Sequence, residues 1–557
     1  MSNFRRTALA SVINIALLGA TDVQAADTET LERRIRELES RLTKMDQLEA
    51  RLEKLDKAGL LSTQPKALAA ASTQSPEVVK LTQKVNTLER KLEIQDEVTT
   101  GTLQKLPVFD AGADGFKITS ADKKHQVRIG ATIQTDYRNF LGDNSSAWIP
   151  GSPGWYGGVG PESIFLRQAR ILIEGYVFKD IYFKIMPDFA QTSNTANMLP
   201  DAYVDFAYLP QASLLVGKYK PSIGLERLQG DANTAFLERA FPTNLAPNRD
   251  MGLQVHGGFA MPGYKAETAP GPIDNKNAFT YQVGITDGTG DSGNPYGNGS
   301  PAATSSSFAN NKEFDGRLFA QPFQHSGYAW LEGLGIGVAG SFSNPDHQII
   351  QAQRTPLGQS QFVDYTSLNG QTQTGARVIT SNGNANRIYP QAYWYKGPFG
   401  LMGEYVASTQ TLNAGGAGTS KVNNITQTNK AAQAQISYVV TGEDNTFEGV
   451  KPMRNFDPFK GSWGALQIAA RWSELTVDSN TFLLLDPTKT ASKATAFTVG
   501  ANWFLNKNAL IRFDFENVSF TGGAQSAAPT VIGGNTTYHI ANRPGEQVLS
   551  TRFQLAF

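Results

Sequence analysis

The sequence predicts an all-β chain, a 16-stranded antiparallel transmembrane β-barrel carrying an N-terminal α-helical coiled-coil extension. Three observations predict it. Apolar and polar residues alternate with period two in many separated segments from His125 onward. The chain ends on such a segment, closed by Phe557. The first 25 residues have the layout of a secretory signal.

In that signal, Arg5 and Arg6 form the basic region, Ala8–Ala20 the apolar region and Val23-Gln24-Ala25 the cleavage site. The mature chain is expected to begin near Ala26. Residues 26–57 then read as a coiled coil. Leu31, Ile35, Leu38, Leu42 and Met45 keep alternating spacings of four and three, and Leu48, Leu52 and Leu55 resume after a three-residue step. Residues 58–76 form an Ala/Ser/Thr/Pro linker. A second coiled coil is expected over 77–100, with its seam on Val78, Leu81, Val85, Leu88 and Leu92. An isolated helix could not bury such a seam, so self-association is the natural solution, with a solvated tether as the other reading.

The barrel is expected over 108–557. In Val127–Arg138 the outward set is Val127, Ile129, Ala131, Ile133, Thr135 and Tyr137, and the inward set includes Arg128, Gln134 and Asp136. In the last strand Leu549, Phe553 and Leu555 oppose Ser550, Arg552 and Gln554. Such alternation suits a soluble sandwich or a barrel in lipid, and the signal and terminal aromatic favour the barrel. Sixteen segments alternate in this way, an even number. Tight turns at 178–181, 396–399 and 505–508 and long loops at 141–162, 287–311, 343–385, 409–430, 441–462 and 520–545 suggest opposite ends of a barrel.

Composition limits the alternatives. The chain has 557 residues, 50 basic and 50 acidic, and no cysteine. Disulfides and thiolate metal sites are excluded, and no charge excess points to nucleic acid. No apolar run is long enough for a helical span. The five histidines lie far apart, no GxSxG occurs, and Gly333–Gly337 opens no helix. No cofactor, metal or catalytic residue is expected.

The most informative stretch is Leu214–Gly252. It begins as a strand, is broken by Pro221 and Gly224, and then runs without alternation while carrying Arg227, Arg239 and Arg249. Its apolar anchors Leu225, Phe236, Leu237, Phe241 and Leu245 suggest a long loop, 221–250, packed against something. The segment VGKYKPSIGLERL…AFLERAFPTNLAP…R resembles the corresponding part of the phosphate-selective porin O and P family of Gram-negative outer membranes. GRLFAQPF (Gly316–Phe323), GLGIGVAGSF (Gly333–Phe342), YWYKGPFGLMGEY (Tyr393–Tyr405), YVVTGE (Tyr438–Glu443), WGALQIAARWSEL (Trp463–Leu475) and the terminal RFQLAF extend the resemblance over Val108–Phe557.

The resemblance implies a trimeric outer-membrane porin, with the coiled coil in the periplasm and outer-membrane lipid around the barrel. It implies passive diffusion of small anions, phosphate or polyphosphate, past basic residues on a loop folded into the lumen. The matching positions are Lys218, Lys220, Arg227, Arg239 and Arg249. Alternation adds Arg128, Arg170, Arg317, Arg471, Arg512 and Arg552 on the lumen wall. Taken singly, each arginine reads as a wall ion pair, because Asp136/Arg138, Asp315/Arg317 and Arg512/Asp514 sit two apart on one strand face. Taken as a ring at a narrow point, they form an anion filter. The terminal Phe557 resembles the signal read by the barrel assembly machinery. Two alternatives stay open: a less selective porin for another small solute, and a structural protein tethered through its coiled coil.

Overall fold

A computed structural model of the chain describes residues 105–141, 162–190, 199–272, 276–288, 312–350, 352–363, 365, 378–415, 422–532 and 535–557, together with 86, 87, 90, 91 and 93. Those last five are helical and exposed, and none belongs to the apolar seam. The signal, the linker and the seams of both coiled coils lie outside the described residues.

The alternating segments form strands because side chains of period two can place an apolar face in lipid and a polar face inward. They are β1 (Gln126–Leu141), β2 (Ser163–Val177), β3 (Ile181–Met186), β4 (Asp201–Leu209), β5 (Ala212–Tyr219), β6 (Asp250–Phe259), β7 (Phe279–Thr286) and β8 (Glu313–Ala320). The second half comprises β9 (Leu334–Ser343), β10 (Val378–Lys396), β11 (Phe399–Gly415), β12 (Val422–Val439), β13 (Ala465–Thr476), β14 (Ala491–Phe504), β15 (Ala509–Ile532) and β16 (Glu546–Ala556). Each pairs antiparallel with the next, and β16 pairs with β1 through Leu555↔Ile133 and Arg552↔Asp136. The ring is therefore a closed 16-stranded barrel. Closure leaves no free edge, which is what a strand structure in lipid requires.

The inward and outward sets are as alternation assigns them. Leu549, Phe553, Ile129 and Ile133 are exposed on the outside, whereas Ser550, Arg552, Gln554, Gln134 and Asp136 are buried within. A short hairpin, Val108–Gly112 with Gly115–Thr119, adds to the foot of β1 through Phe116↔Ile129. It lies at the end of the barrel that carries Phe557, the short-turn and hence periplasmic end.

Two expectations need correction, and one strand proves irregular. The stretch 441–462 joins β12 to β13 and so belongs to the short-turn end, although it is long. Parts of 343–385, 409–430 and 520–545 are strand: β10, β11, β12 and β15 run well past the expected ends. Their added residues are mostly Thr, Asn, Gln, Gly and Ala, which suit strands rising out of the apolar band but read as loop. Finally, Ser163–Val177 contains a β-bulge, since Gln134↔Gln168 is followed by Thr135↔Leu166. The extra residue, Arg167, lets both Arg167 and Arg170 reach inward although simple alternation separates them.

Gly175 of β2 marks a close approach of two strands. A Cβ built there lies 1.8 Å from the carbonyl oxygen of Gln126. Gly175→Ala should therefore prevent closure between β1 and β2, seen as loss of the compact, heat-modifiable band on semi-native electrophoresis.

Candidate functional site: a basic cavity beneath an infolded loop

The residues from Lys220 to Arg249 turn into the barrel rather than over it. Gly224, at φ +83°, makes the turn that starts a one-turn helix, Leu225–Leu228; a second, Pro242–Leu245, follows. Backbone placed inside a barrel needs partners, because an unpaired buried N–H or C=O is costly. Wall side chains supply them. Leu225 N–H donates to Glu404 Oε2 at 2.6 Å, Leu237 N–H to Asp514 Oδ2 at 2.7 Å and Phe241 N–H to Ser473 Oγ at 3.0 Å. In the other direction, Arg552 Nη1 donates to Leu237 O at 2.7 Å, Arg512 Nη1 to Phe236 O at 3.0 Å and Arg471 Nη1 to Glu238 O at 2.9 Å.

Apolar anchors complete the attachment. Phe236, Phe241, Ile223 and Leu225 are fully buried. The Phe236 ring lies 4.4 Å from the Arg471 guanidinium and beside Gly500, which leaves it room. Phe241 meets Phe362 edge-on at 5.6 Å. Phe362 belongs to a second infolded segment, 352–363, held by Leu357 N–H to Glu516 Oε1 at 2.8 Å. Ile223, Phe241 and Phe362, together with inward residues of β10–β15 such as Tyr389, Val406, Leu475 and Val518, form an apolar core inside the barrel.

A separate cluster of charged groups lies against the other wall, β1–β5. Asp231 of the loop lies at their centre. Its carboxylate pairs with Arg170 Nη1 and Arg239 Nη2, with Lys220 Nζ at 3.2 Å and with Arg249 Nη2 at 3.8 Å. Arg170 also pairs with Asp188 at 2.8 Å, Arg249 with Asp201 at 2.6 Å and Lys184 with Asp201 at 3.5 Å. Burial opposes ionisation of Asp231, but Lys220, Arg239, Arg170 and Arg249 outweigh it and hold the carboxyl well below the usual carboxylate range.

This cluster borders a cavity of about 680 Å³ on the periplasmic side of the loop. Seven bases line it (Arg128, Arg170, Lys184, Lys220, Arg249, Lys451 and Lys507) against four carboxylates (Asp114, Asp201, Asp231 and Glu448). Among the described residues no group of carboxylates and histidines could hold a metal ion.

The sequence-derived residues thus divide. Arg128, Arg170, Lys220 and Arg249 line the cavity. Arg239 touches Asp231 but spends two further donors on the loop's own carbonyls, Glu226 O at 3.0 Å and Gln229 O at 2.8 Å. Arg227 sits in the first one-turn helix, where its carbonyl accepts from Lys220 Nζ at 3.1 Å. Lys218 is buried on β5 and Arg317 on β8, where Arg317 Nε donates to Gln391 Oε1 at 3.2 Å and its guanidinium lies 4.3 Å from the Phe319 ring. Arg471, Arg512 and Arg552 hold the loop.

The wall ion pairs are not those of alternate residues on one strand. Asp136 takes Arg552 from the adjacent strand, at 2.7 Å to each oxygen, and Glu174 takes Arg128 at 2.7 Å. Both couples are direct cross-strand partners. Residues two apart on a strand are about 7 Å from each other, whereas opposite residues are at about 5 Å. The residues missed by sequence reasoning are Lys184, Asp188, Asp201, Asp231 and the bulged Arg167, with Asp114, Glu448, Lys451 and Lys507 at the cavity's rim. Alternation with Tyr182 could have found Lys184; nothing local marks Asp231.

The phosphate-selective porin O and P family model matches residues 158–557. No curated protein sequence matches the chain. Among solved structures, the outer-membrane expressed OmpT of Vibrio cholerae aligns over 78% of this chain and 98% of its own at 9% identity, with a TM-score of 0.44. An anion-selective porin from Comamonas acidovorans aligns over 78% and 100% at 9% identity and 0.42. The outer membrane channel DcaP of Acinetobacter baumannii aligns over 78% and 97% at 10% identity and 0.41.

Two predictions concern the attachment of the loop. Arg552→Ala leaves Asp136 and Glu238 buried beside a missing cation, a change that typically costs about 3–5 kcal/mol; single-channel records should show a noisier open level and the loop should become protease-sensitive. Burial raises the Glu238 carboxyl, but Arg167 at 2.6 Å, Arg552 and Arg138 prevail and bring it from 4.5 down to about 2. A depressed folded-state pKa means that this pairing stabilises the folded loop above about pH 4.5 and is lost as pH falls through about 2. The extra channel noise caused by Glu238→Gln relative to the wild type should accordingly stay constant from neutral pH to 4.5 and shrink only below it.

Proposed function

Because this chain belongs to the phosphate-selective porin O and P family, and is therefore an outer-membrane porin, we propose that small oxyanions cross it along the charged wall β1–β5. They rest in the basic cavity on the way. The carrying observation is the setting of Asp231: one carboxylate of the chain sits among Arg170, Lys220, Arg239 and Arg249, where an oxyanion offers the same sign of charge and the same kind of acceptor oxygen. Guanidinium groups suit such acceptors because their planar fork matches two oxygens. The apolar core against β10–β15 supports this route, since it offers an ion no partner.

Asp231 acts in this reading as a tethered counter-ion. It neutralises part of the basic field while the site is empty and competes with the solute, which keeps binding weak enough for release. Phosphate is the solute the family description suggests. We further propose that residues 1–25 direct export, that a periplasmic coiled coil over 26–57 and 77–100 supports a homotrimer, and that the assembly machinery recognises the Phe557-terminated strand.

Planar-bilayer recordings test the route. Wild-type protein should be anion-selective, with chloride current blocked by phosphate. A charge-assisted contact contributes about 1.5–3 kcal/mol, or roughly tenfold or more in affinity. Arg249→Ala and Lys220→Ala should each weaken block by about that factor, and Asp231→Asn should strengthen it and shift the reversal potential further toward anions. Unchanged block in all three removes the cluster from the path.

A further inference from the structure

The turn between β12 and β13, residues 440–464, is divided between two environments. Its first half bends into the barrel mouth. Asn445–Thr446 pairs with Gly449–Val450, Phe447 O accepts from Gln229 Nε2 of the infolded loop at 2.7 Å, and Phe447 and Lys451 border the basic cavity.

The second half bends the other way. Phe456 N–H donates to Leu505 O at 2.6 Å, and the Phe456 ring meets Trp503 edge-on at 5.2 Å. Trp503 Nε1 donates to Trp463 O at 2.7 Å. Trp503 shares the outward face of β14 with Phe497 and Val499, both more than half exposed to the surroundings of the barrel. This half of the turn is thus continuous with the lipid-facing surface at its periplasmic margin, where amphipathic aromatic rings are favoured.

Its tip is built rather than loose. Asp457 pairs with Ser462 as a β-bridge, its carboxylate accepts from Phe459 N–H at 3.1 Å, and Ser462 Oγ donates to Asn455 O at 2.7 Å. That framework holds Phe459 outward at 99% exposure and Met453 at 75%. Arg454 and Lys460 flank them; Lys460 pairs with Asp457 at 2.8 Å, and Asp457 is the single acid of residues 452–463. An ordered turn that projects a whole phenyl ring beside cations is poorly matched to water and well matched to the acyl–headgroup boundary.

We infer that residues 452–463 are a lipid anchor: Phe459 and Met453 enter the acyl region of the periplasmic leaflet, and Arg454 pairs with the phosphate of an anionic glycerophospholipid headgroup. The occupant follows from continuity with the lipid-facing surface and from the sign of the flanking charge. The inference is independent of which solute the channel passes.

The absence of cysteine allows a direct test. Phe459→Cys in the full-length protein removes a side chain that packs against nothing, and folding is verified by heat-modifiable migration. The thiol is labelled with an NBD fluorophore in vesicles of phosphatidylethanolamine and phosphatidylglycerol. Nitroxide carried on the lipid acyl chains should quench it about as strongly as a label at Phe553→Cys on the lipid face, while aqueous iodide should quench it several-fold less. Strong iodide quenching overturns the inference, and so does protection from both quenchers, which means that protein covers the tip. Raising the phosphatidylglycerol fraction should deepen the label, and adding Arg454→Gln should abolish that response. A response unchanged by Arg454→Gln overturns the headgroup assignment.

Discussion

Everything inside this barrel depends on the hydrogen bonds between wall side chains and the backbone of the infolded loop. A closed ring satisfies its own strands, but a segment of roughly thirty residues inserted through its middle brings unpaired N–H and C=O groups with it. The wall answers with acceptors on one set of strands (Glu404, Ser473, Asp514) and donors on the same or neighbouring ones (Arg471, Arg512, Arg552). The loop's position follows from these contacts. The cavity beneath it and the cation cluster at its edge follow from the loop.

This explains why inward-facing arginines serve two different purposes. On β13, β15 and β16 they are consumed in holding the loop, with Arg471 sandwiched between Glu226 and the Phe236 ring. Beside β1–β5, Arg170 of the wall and Lys220 and Arg249 at the two ends of the loop border open volume and share their counter-ions: Asp231 serves four bases and Asp201 two. Shared counter-ions leave cationic capacity unspent, and it is that capacity which a passing anion can use.

Much of the fold is legible in the sequence because period two is a local property. All sixteen strands, their order and the faces of Arg128, Asp136 and Arg552 follow from reading alternate residues. The long loop is legible too, as the place where alternation stops and large apolar residues continue. The remainder depends on contacts distant in sequence. The bulge at Arg167 changes one residue's direction without any turn signal. The choice of Arg552 rather than Arg138 as the partner of Asp136 is set by cross-strand spacing, and the role of Asp231 by a loop path that no local pattern encodes. The placement of 441–462 failed because loop length was read as a mark of the outer end, whereas this turn is long for reasons of its own at the periplasmic mouth.

The cluster of Arg170, Lys220 and Arg249 beside Asp231 is the proposed resting place of an oxyanion. Crystals of the protein soaked in selenate, a scattering mimic of tetrahedral oxyanions, test it most directly through an anomalous difference map. A peak is expected in the basic cavity, within hydrogen-bonding reach of Arg249 and Lys220, strengthened in Asp231→Asn. Strong peaks elsewhere in the lumen with none at this cluster would contradict it.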